Sequence, residues 1–415
     1  MDNLTHSLIG LGIGELLQRS LAPEAEPGRN RARRRMLLFS CCFASNMPDL
    51  DLLLAPLLPT PLGYLLYHRG HSHTVLFAMA QALLLAVLIW LLWPAARALL
   101  RTSGPARAAL AASVTLGLGL HLAMDYLNSY GLHPFYPFDA RWFYGDALFI
   151  VEPLFWVAFG VPLALTLKRP VAQGLPLAAL GGALCIFAAR GFLAWPACAA
   201  LCALGLGLAA LQRRAGARGR QALWAATVLC LGFIALQGGA AALGKRRVAL
   251  ALLQADPGTR VLDVALSAYP SQPLCWSFVT VESKEAAGTY RLRRGILSLA
   301  PAWLAPSACP AGLAERHPRA SFTPAMLQEI AIDGSLAQLR RLKSTNCQVD
   351  AWLRFARAPA LGVGVASDVR FGSGPDGNFT TLRYASATPS DCPLQVPAWA
   401  FPAWSYPRAD LLEAP

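Results

Sequence analysis

The run HRGHSHTVLFAMAQALLLAVLIWLLWPAA (His68–Ala96) decides how this chain is to be read. Three imidazoles and a guanidinium crowd into six residues, and from Thr74 to Ala96 no charged side chain follows. A helix needs about 20 apolar residues to cross a bilayer core, and this stretch supplies them. The polar hexapeptide therefore marks the edge of a membrane span. Ionisable groups at such a position are costly to desolvate and persist where they have a partner or a task.

The same alternation of apolar run and polar edge recurs outward from this point. The chain has 415 residues, of which 55% are hydrophobic, and a mean hydropathy of +0.42, too apolar for a soluble protein of this length. Candidate spans are Leu4 to Leu21, Met36 to Leu58, Thr74 to Ala96, Ala108 to Leu127, Leu148 to Leu167, Ala172 to Ala189, Phe192 to Leu211 and Ala222 to Leu243. The first is glycine-rich and interrupted by Glu15, which leaves crossing, lying at the interface and dipping in all open to it. No basic leader precedes it, so no cleaved signal is expected. From about Val248 the long apolar runs stop.

The expected fold is thus an α-helical polytopic membrane domain, 1–247, followed by a β-rich (α+β) extramembrane domain, 248–415. In the second part Val261 to Ala268, Trp276 to Val281, Thr289 to Leu299, Trp352 to Ala356, Val363 to Phe371 and Phe379 to Tyr384 read as strands. Pro324 to Ile332 and Ser335 to Lys343 read as helices, the first opening on a proline that suits a helix start.

The net charge of +13 does not call for nucleic acid, because the basic residues fall in short loops between spans. Arg29, Arg31, Arg33, Arg34 and Arg35 follow the first, Arg97, Arg101 and Arg107 the third, Lys168 and Arg169 the fifth, and Arg213, Arg214, Arg218 and Arg220 the seventh. The alternate loops hold Arg69, Arg141 and Arg190. The positive-inside rule places the arginine-rich loops in the cytoplasm, although Lys245, Arg246 and Arg247 run against it. The expected location is a bacterial inner membrane, with the C-terminal domain extracytoplasmic. Cys275, Cys309, Cys347 and Cys392 in that domain suit two disulfides in an oxidising compartment, with three pairings open. The other six cysteines lie in apolar segments, where they behave as small apolar residues.

Six of the seven histidines fall in the first 133 residues, close to carboxylates. Imidazole and carboxylate are the usual ligands of a hydrolytic metal ion. His121 and Asp125, four apart, share one helix face. Asp49 and Asp51 follow Pro48, which disrupts a helix, and a broken helix can turn carboxylates toward a polar cavity. Arg69, beside His68, His71 and His73, suits recognition of an anion through its planar fork. Asp146 is read as a site member or a helix cap, and Glu152 as a buried group with a partner. His133 reads as a loop residue, and His317 as unconnected with the site. No zincin H-E-x-x-H, nucleophile elbow, phosphate-binding Walker loop or dinucleotide fingerprint occurs.

The residues Met1-Asp2 with Thr5-His6, Pro48-Asp49-Leu50-Asp51, His68-Arg69-Gly70 with Ser72-His73-Thr74, His121 with Asp125 and Gly131, and Phe149-Ile150 with Glu152-Pro153 resemble a known pattern. It is that of the bacterial membrane-bound metal-dependent hydrolases, a group that includes a LexA-regulated inner-membrane protein. More distantly, the order His6, Asp51, His73 or His68, His121, Asp125 is similar to that of zinc-dependent phospholipase C and the zinc-dependent single-strand nucleases. The resemblance implies a helical site for two or three zinc ions, of which the residues present suit two, and a phosphodiester substrate. The departures are the lack of a second H-x-x-x-[DE] after Asp125 and of a processed N-terminal tryptophan.

The expectation is a metal-dependent hydrolase acting on a phosphoester or similar bond of a lipid or envelope substrate at the outer membrane face. His6, Asp49, Asp51, His68, His73, His121 and Asp125 are the expected metal ligands. Asp49 doubles as a candidate base, and Arg69 as the anion binder. The alternative is a metal-ion carrier or sensor with the same ligands and no hydrolytic chemistry.

Overall fold

The computed structural model describes all residues except 217, 311–319, 373–376, 385–391, 394–395, 403–410 and 413–415, so His317 lies outside the described residues. Along the chain run helices α1 (Asn3–Ser20), α2 (Pro27–Ala44), α3 (Leu62–Tyr67), α4 (Val75–Leu92), α5 (Pro94–Thr102), α6 (Gly104–Tyr126), α7 (Pro153–Ala164), α8 (Pro170–Ala189), α9 (Trp195–Ala215) and α10 (Gln221–Ala255). Strands β1 (Arg260–Tyr269), β2 (Gln272–Lys284), β3 (Thr289–Ser298), β4 (Ala320–Thr323) and β5 (Met326–Ser335) follow. Helices α11 (Leu336–Thr345) and α12 (Cys347–Leu353) precede β6 (Pro359–Leu361), β7 (Val365–Asp368) and β8 (Leu382–Arg383). The architecture is a helical membrane region followed by a β-rich domain.

Two compact units result. The first comprises Met1–Leu50, Ser72–Tyr126 and Phe149–Leu236; the second comprises Asp51–His71, Leu127–Leu148 and Gln237–Pro415. The boundary read at 247/248 falls inside α10, and two earlier segments belong with the strands.

In the first unit, α4, α6, α8 and α9, together with α10 where it begins, are long and apolar enough to cross a membrane. Helix α2 and the segment 48–57 qualify together as one span bent by 57°. Against the eight apolar runs of the sequence, five helices among the described residues, or six with the bent pair, meet that length and hydropathy. Glu15, Gln18 and Arg19 make the end of α1 polar. Helix α7 starts only at Pro153 and runs for 12 residues, short of a bilayer core. Leu83, Leu84, Leu91 and Leu92 on α4 are exposed, an apolar surface of the kind lipid covers.

The second unit holds an antiparallel sheet in the order β1-β2-β3-β5-β4 and a smaller one, β6-β7-β8. Residues 324–332, expected to be helical, instead form most of β5. They contain good helix formers, but pairing with β3 from Leu297↔Met326 to Thr289↔Ser335 overrides that local preference. Residues 352–356, expected to be a strand, end α12 and the turn after it. The Asn346 side chain accepts from Gln348 and Val349 N–H and starts the helix, which buries Trp352 and Leu353. The remaining strand expectations match β1, β2, β3, β7 and β8 in position, the last two being shorter than read.

Disulfides join Cys275 to Cys309 and Cys347 to Cys392, with Cα separations of 5.8 and 5.6 Å. Trp352, Phe355, Tyr290 and Leu292 lie in the core of this unit. The two early segments are tied in by hydrogen bonds: Trp399 Nε1 donates to the Leu66 carbonyl at 2.8 Å, and Trp142 Nε1 to that of Arg354 at 2.7 Å.

Asp146 neither caps a helix nor joins a metal cluster. Its carboxylate is fully buried, receives Arg357 through two bonds of 2.9 Å and Lys245 at 2.7 Å, and Arg357 in turn holds Asp263 at 2.6 Å. Burial acts to raise the Asp146 pKa, but the two cations outweigh it and hold the carboxylate below its usual range. Lys245 is thereby engaged in an ion pair, and Arg247 Nη1 donates to the Leu299 carbonyl at 2.5 Å.

Candidate metal centre

The site is built from four short stretches of the first unit. Asp2 caps α1 by accepting from the Thr5 N–H at 2.9 Å and its hydroxyl at 2.5 Å, which places His6 in the first turn. Helix α2 ends at Ala44, and the turn Ser45-Asn46-Met47 leads to Pro48 and Asp49. His73 closes the short turn before α4, whose N-terminus is capped by the Thr74 side chain. His121 and Asp125 lie on the last turns of α6.

Close helix approach makes the convergence possible. A Cβ on Gly117, one turn before His121, would lie 2.7 Å from both the Ala44 Cβ and the Cys41 carbonyl oxygen. A Cβ on Gly10, one turn after His6, would lie 2.7 Å from Ser45 Oγ and 2.9 Å from the Cys42 Cα. Small residues at these points let α1 and α6 pack directly on α2 and bring their histidines to its broken end.

The resulting geometry is compact. His121 Nε2 lies 3.1 Å from His73 Nε2, 3.7 Å from Asp49 Oδ1 and 3.8 Å from Asp125 Oδ2. His73 Nε2 lies 3.3 Å from Asp49 Oδ1 and 3.5 Å from Asp125 Oδ2. One ligand atom from each of these four residues lies within 4.8 Å of all the others. His6 Nε2 stands 3.2 Å from Asp125 Oδ1 and 3.1 Å from the Met1 amino nitrogen, which also donates to Asp125 Oδ1. His6, His73, His121 and Asp125 are fully buried.

The orientation of His121 is set from behind. Its Nδ1 lies 2.8 Å from the Ser45 carbonyl oxygen, and because a carbonyl only accepts, Nδ1 carries the hydrogen and Nε2 of the neutral ring offers a lone pair. Ser72 Oγ sits 2.9 Å from His73 Nδ1 and, as a hydroxyl, can donate to it or accept from it. Two ligands on a tetrahedral zinc-sized ion, at about 2.0–2.1 Å each, stand about 3.3 Å apart. The observed spacings bracket that value, so the donor set fits a divalent cation. His6, Asp49, His73, His121 and Asp125 are thus brought together as read from sequence.

Asp51, His68 and Arg69 belong to the second unit. His68 Nδ1 lies 2.9 Å from Asp51 Oδ1, and the Arg69 backbone N–H donates to Asp51 Oδ2 at 3.3 Å. Arg69, at φ 59°, is buried; Nη1 donates to Asn128 Oδ1 at 2.9 Å and its guanidinium lies 4.7 Å from the Tyr130 ring centre. These contacts engage its side chain within the second unit, where it orders a loop. Glu152 caps α7 by accepting from Leu154 N–H at 3.1 Å. His133 is packed between Trp142 and Trp399, with ring centres at 3.8 and 4.2 Å, and burial pushes its pKa down to about 3.

Sequence reasoning missed the Met1 amino nitrogen, the Ser45 carbonyl and the Ser72 hydroxyl as supports of the cluster. A carbonyl carries no residue identity, and the signal for Ser45 is only the helix break at Pro48. Among curated proteins the chain is similar to Uncharacterized protein YfhP of Bacillus subtilis (strain 168), at 23% identity over 165 residues, 40% of this chain and 46% of that one. The match therefore spans less than half of that relative. No solved structure matches. The family model for YdjM inner membrane protein matches residues 1–241, the stretch that carries every member of the cluster, and the chain belongs to that family.

Proposed function

We propose that the protein is a membrane-embedded metal-dependent hydrolase acting on a phosphoester or related bond of a lipid or envelope molecule at the outer face of the inner membrane. The observation that carries this reading is the convergence of Asp49, His73, His121 and Asp125 on one buried point. A divalent ion bound there, zinc by the character of the donor set and two ions by the resemblance above, would lower the pKa of a bound water and polarise a phosphoryl oxygen. His73, His121 and Asp125 would be its ligands, with His6 beside Asp125. Asp49, whose side chain is 5% exposed beside fully buried neighbours, is the carboxylate best placed to accept a proton from attacking water. The Ser45 carbonyl fixes the ring of His121 with Nε2 toward the cluster. The paired cysteines of the second unit and the arginine-rich loops support the outer face.

The complete burial of three ligands also favours a second reading, a closed site in a metal carrier or sensor. Elemental analysis of the purified full chain, paired with turnover of a phosphodiester probe, separates the two. Wild type is expected to hold zinc or manganese and to hydrolyse the probe, with both lost in His121→Ala and Asp125→Ala. Metal without turnover selects the carrier, and wild type with no more metal than the variants removes both.

A further inference from the structure

At the far end of α1 from His6, thirteen residues or about 20 Å along the helix, lies a second built site within the first unit. A cavity of about 340 Å³ there is lined by Glu15, Arg19, Arg31, Arg34 and Arg218, with Thr166 on its wall. Four guanidinium groups face one carboxylate, which leaves a surplus of three positive charges. Glu15 Oε1 accepts from Arg19 Nε at 2.9 Å and Oε2 from Arg34 Nε at 2.7 Å, so one acid orients two forks by their inner edges. The Nη atoms of Arg34, and Arg31 and Arg218 entirely, make no hydrogen bond among the described residues. The Arg19 side chain is 5% exposed, yet its buried Nη2 has no hydrogen-bond partner. That buried Arg19 donor costs free energy unless an anion satisfies it, while Arg31 and Arg218 are exposed at the cavity.

A second cavity, of about 480 Å³, shares Arg34 and Thr166 with the first and is otherwise apolar. Leu4, Leu8 and Leu11 of α1 form one wall, and Leu163 and Leu180 lie on the opposing helices α7 and α8. A charged pocket opening into a hydrocarbon-lined groove has the shape and polarity of one molecular class. The geometry points to a resident anionic phospholipid, its phosphate between Arg31, Arg34 and Arg218 and an acyl chain along the leucine face of α1. Basic pockets between membrane helices on the cytoplasmic side take anionic headgroups in this way, and the arginine-rich loops place this pocket on that side.

The test is thermal melting of the purified full-length protein in detergent with added phosphatidylglycerol, phosphatidylcholine of the same chains, or inorganic phosphate. Phosphatidylglycerol is expected to raise the midpoint saturably while the other two do not. Arg31→Gln/Arg218→Gln removes two charges that make no hydrogen bond, and is expected to weaken the apparent affinity about 30-fold, at about a factor of five per arginine. An equal shift with phosphatidylcholine overturns the charge selection, and a full shift with phosphate alone overturns the lipid. An unchanged response in the double variant overturns the site. None of these outcomes depends on metal content or turnover, so hydrolase and lipid readings stand or fall separately.

Discussion

Gly117 shows at the scale of one residue how packing and chemistry are joined. Its missing side chain admits α2 at a distance no Cβ tolerates, and His121 lies one turn further along. Gly117→Val should therefore leave the span helical while shifting His121 off the Ser45 carbonyl. Metal affinity is expected to fall about 10- to 100-fold, the usual cost of losing the support behind a ligand, measured by titration with a competing chelator. His133 makes a second residue-scale prediction. With a pKa near 3 in the folded protein and about 6.5 unfolded, it binds its proton mainly in the unfolded chain. Stability attributable to it is complete above pH 6.5 and is lost as pH falls toward 3. His133→Phe, which keeps a ring between Trp142 and Trp399, should flatten the melting point between pH 6.5 and 4.5 relative to wild type. The residues of the His/Asp cluster were legible because imidazoles and carboxylates in apolar sequence are rare for a physical reason. The burial of His133 between two tryptophans was not, since Trp399 lies far from it in sequence.

Among elements, what was legible followed the range of the interaction that fixes each one. The strands β1, β2 and β3 form consecutive hairpins with alternating sequence, and both period and turns announce them. Residues 324–332 carry helix-forming side chains, and only the partner strand decides otherwise. The α12 segment reads as extended until the Asn346 cap is weighed. The segments 51–71 and 127–148 belong with strands far along the chain, and no local pattern could report that. The tie between Asp146, Arg357 and Asp263 is the sharpest case, since it joins a loop before α7 to β1 and to the chain after α12. Arg357→Ala would leave two carboxylates buried near each other, with Lys245 remaining on Asp146. A loss of about 3–5 kcal/mol is expected, seen as a fall in the denaturation midpoint. Arg357→Met combined with Asp263→Asn should recover most of it, because Lys245 and Asp146 then remain as a pair and no net charge is left there.

For the molecule as a whole, composition and loop charge established a polytopic helical region and a β-rich domain, and the family match over residues 1–241 agrees with the first. Among the described residues five helices, or six with the bent pair, reach the length and hydropathy of a span, against eight apolar runs in the sequence, because hydropathy does not report where a helix such as α7 begins. The sulfur atoms offer a test of the side of the membrane on which the second unit folds. Cys41, Cys42, Cys185, Cys198, Cys202 and Cys230 are free thiols, whereas the four cysteines of the second unit are all bonded. Protein taken from cells, unfolded without reductant and alkylated to completion, should gain six mass tags if the strands folded outside the cytoplasm. Prior reduction should raise the number to ten. Two sulfur bridges thus work as a permanent record of the side of the membrane on which the polypeptide finished folding, one that a mass spectrometer can read.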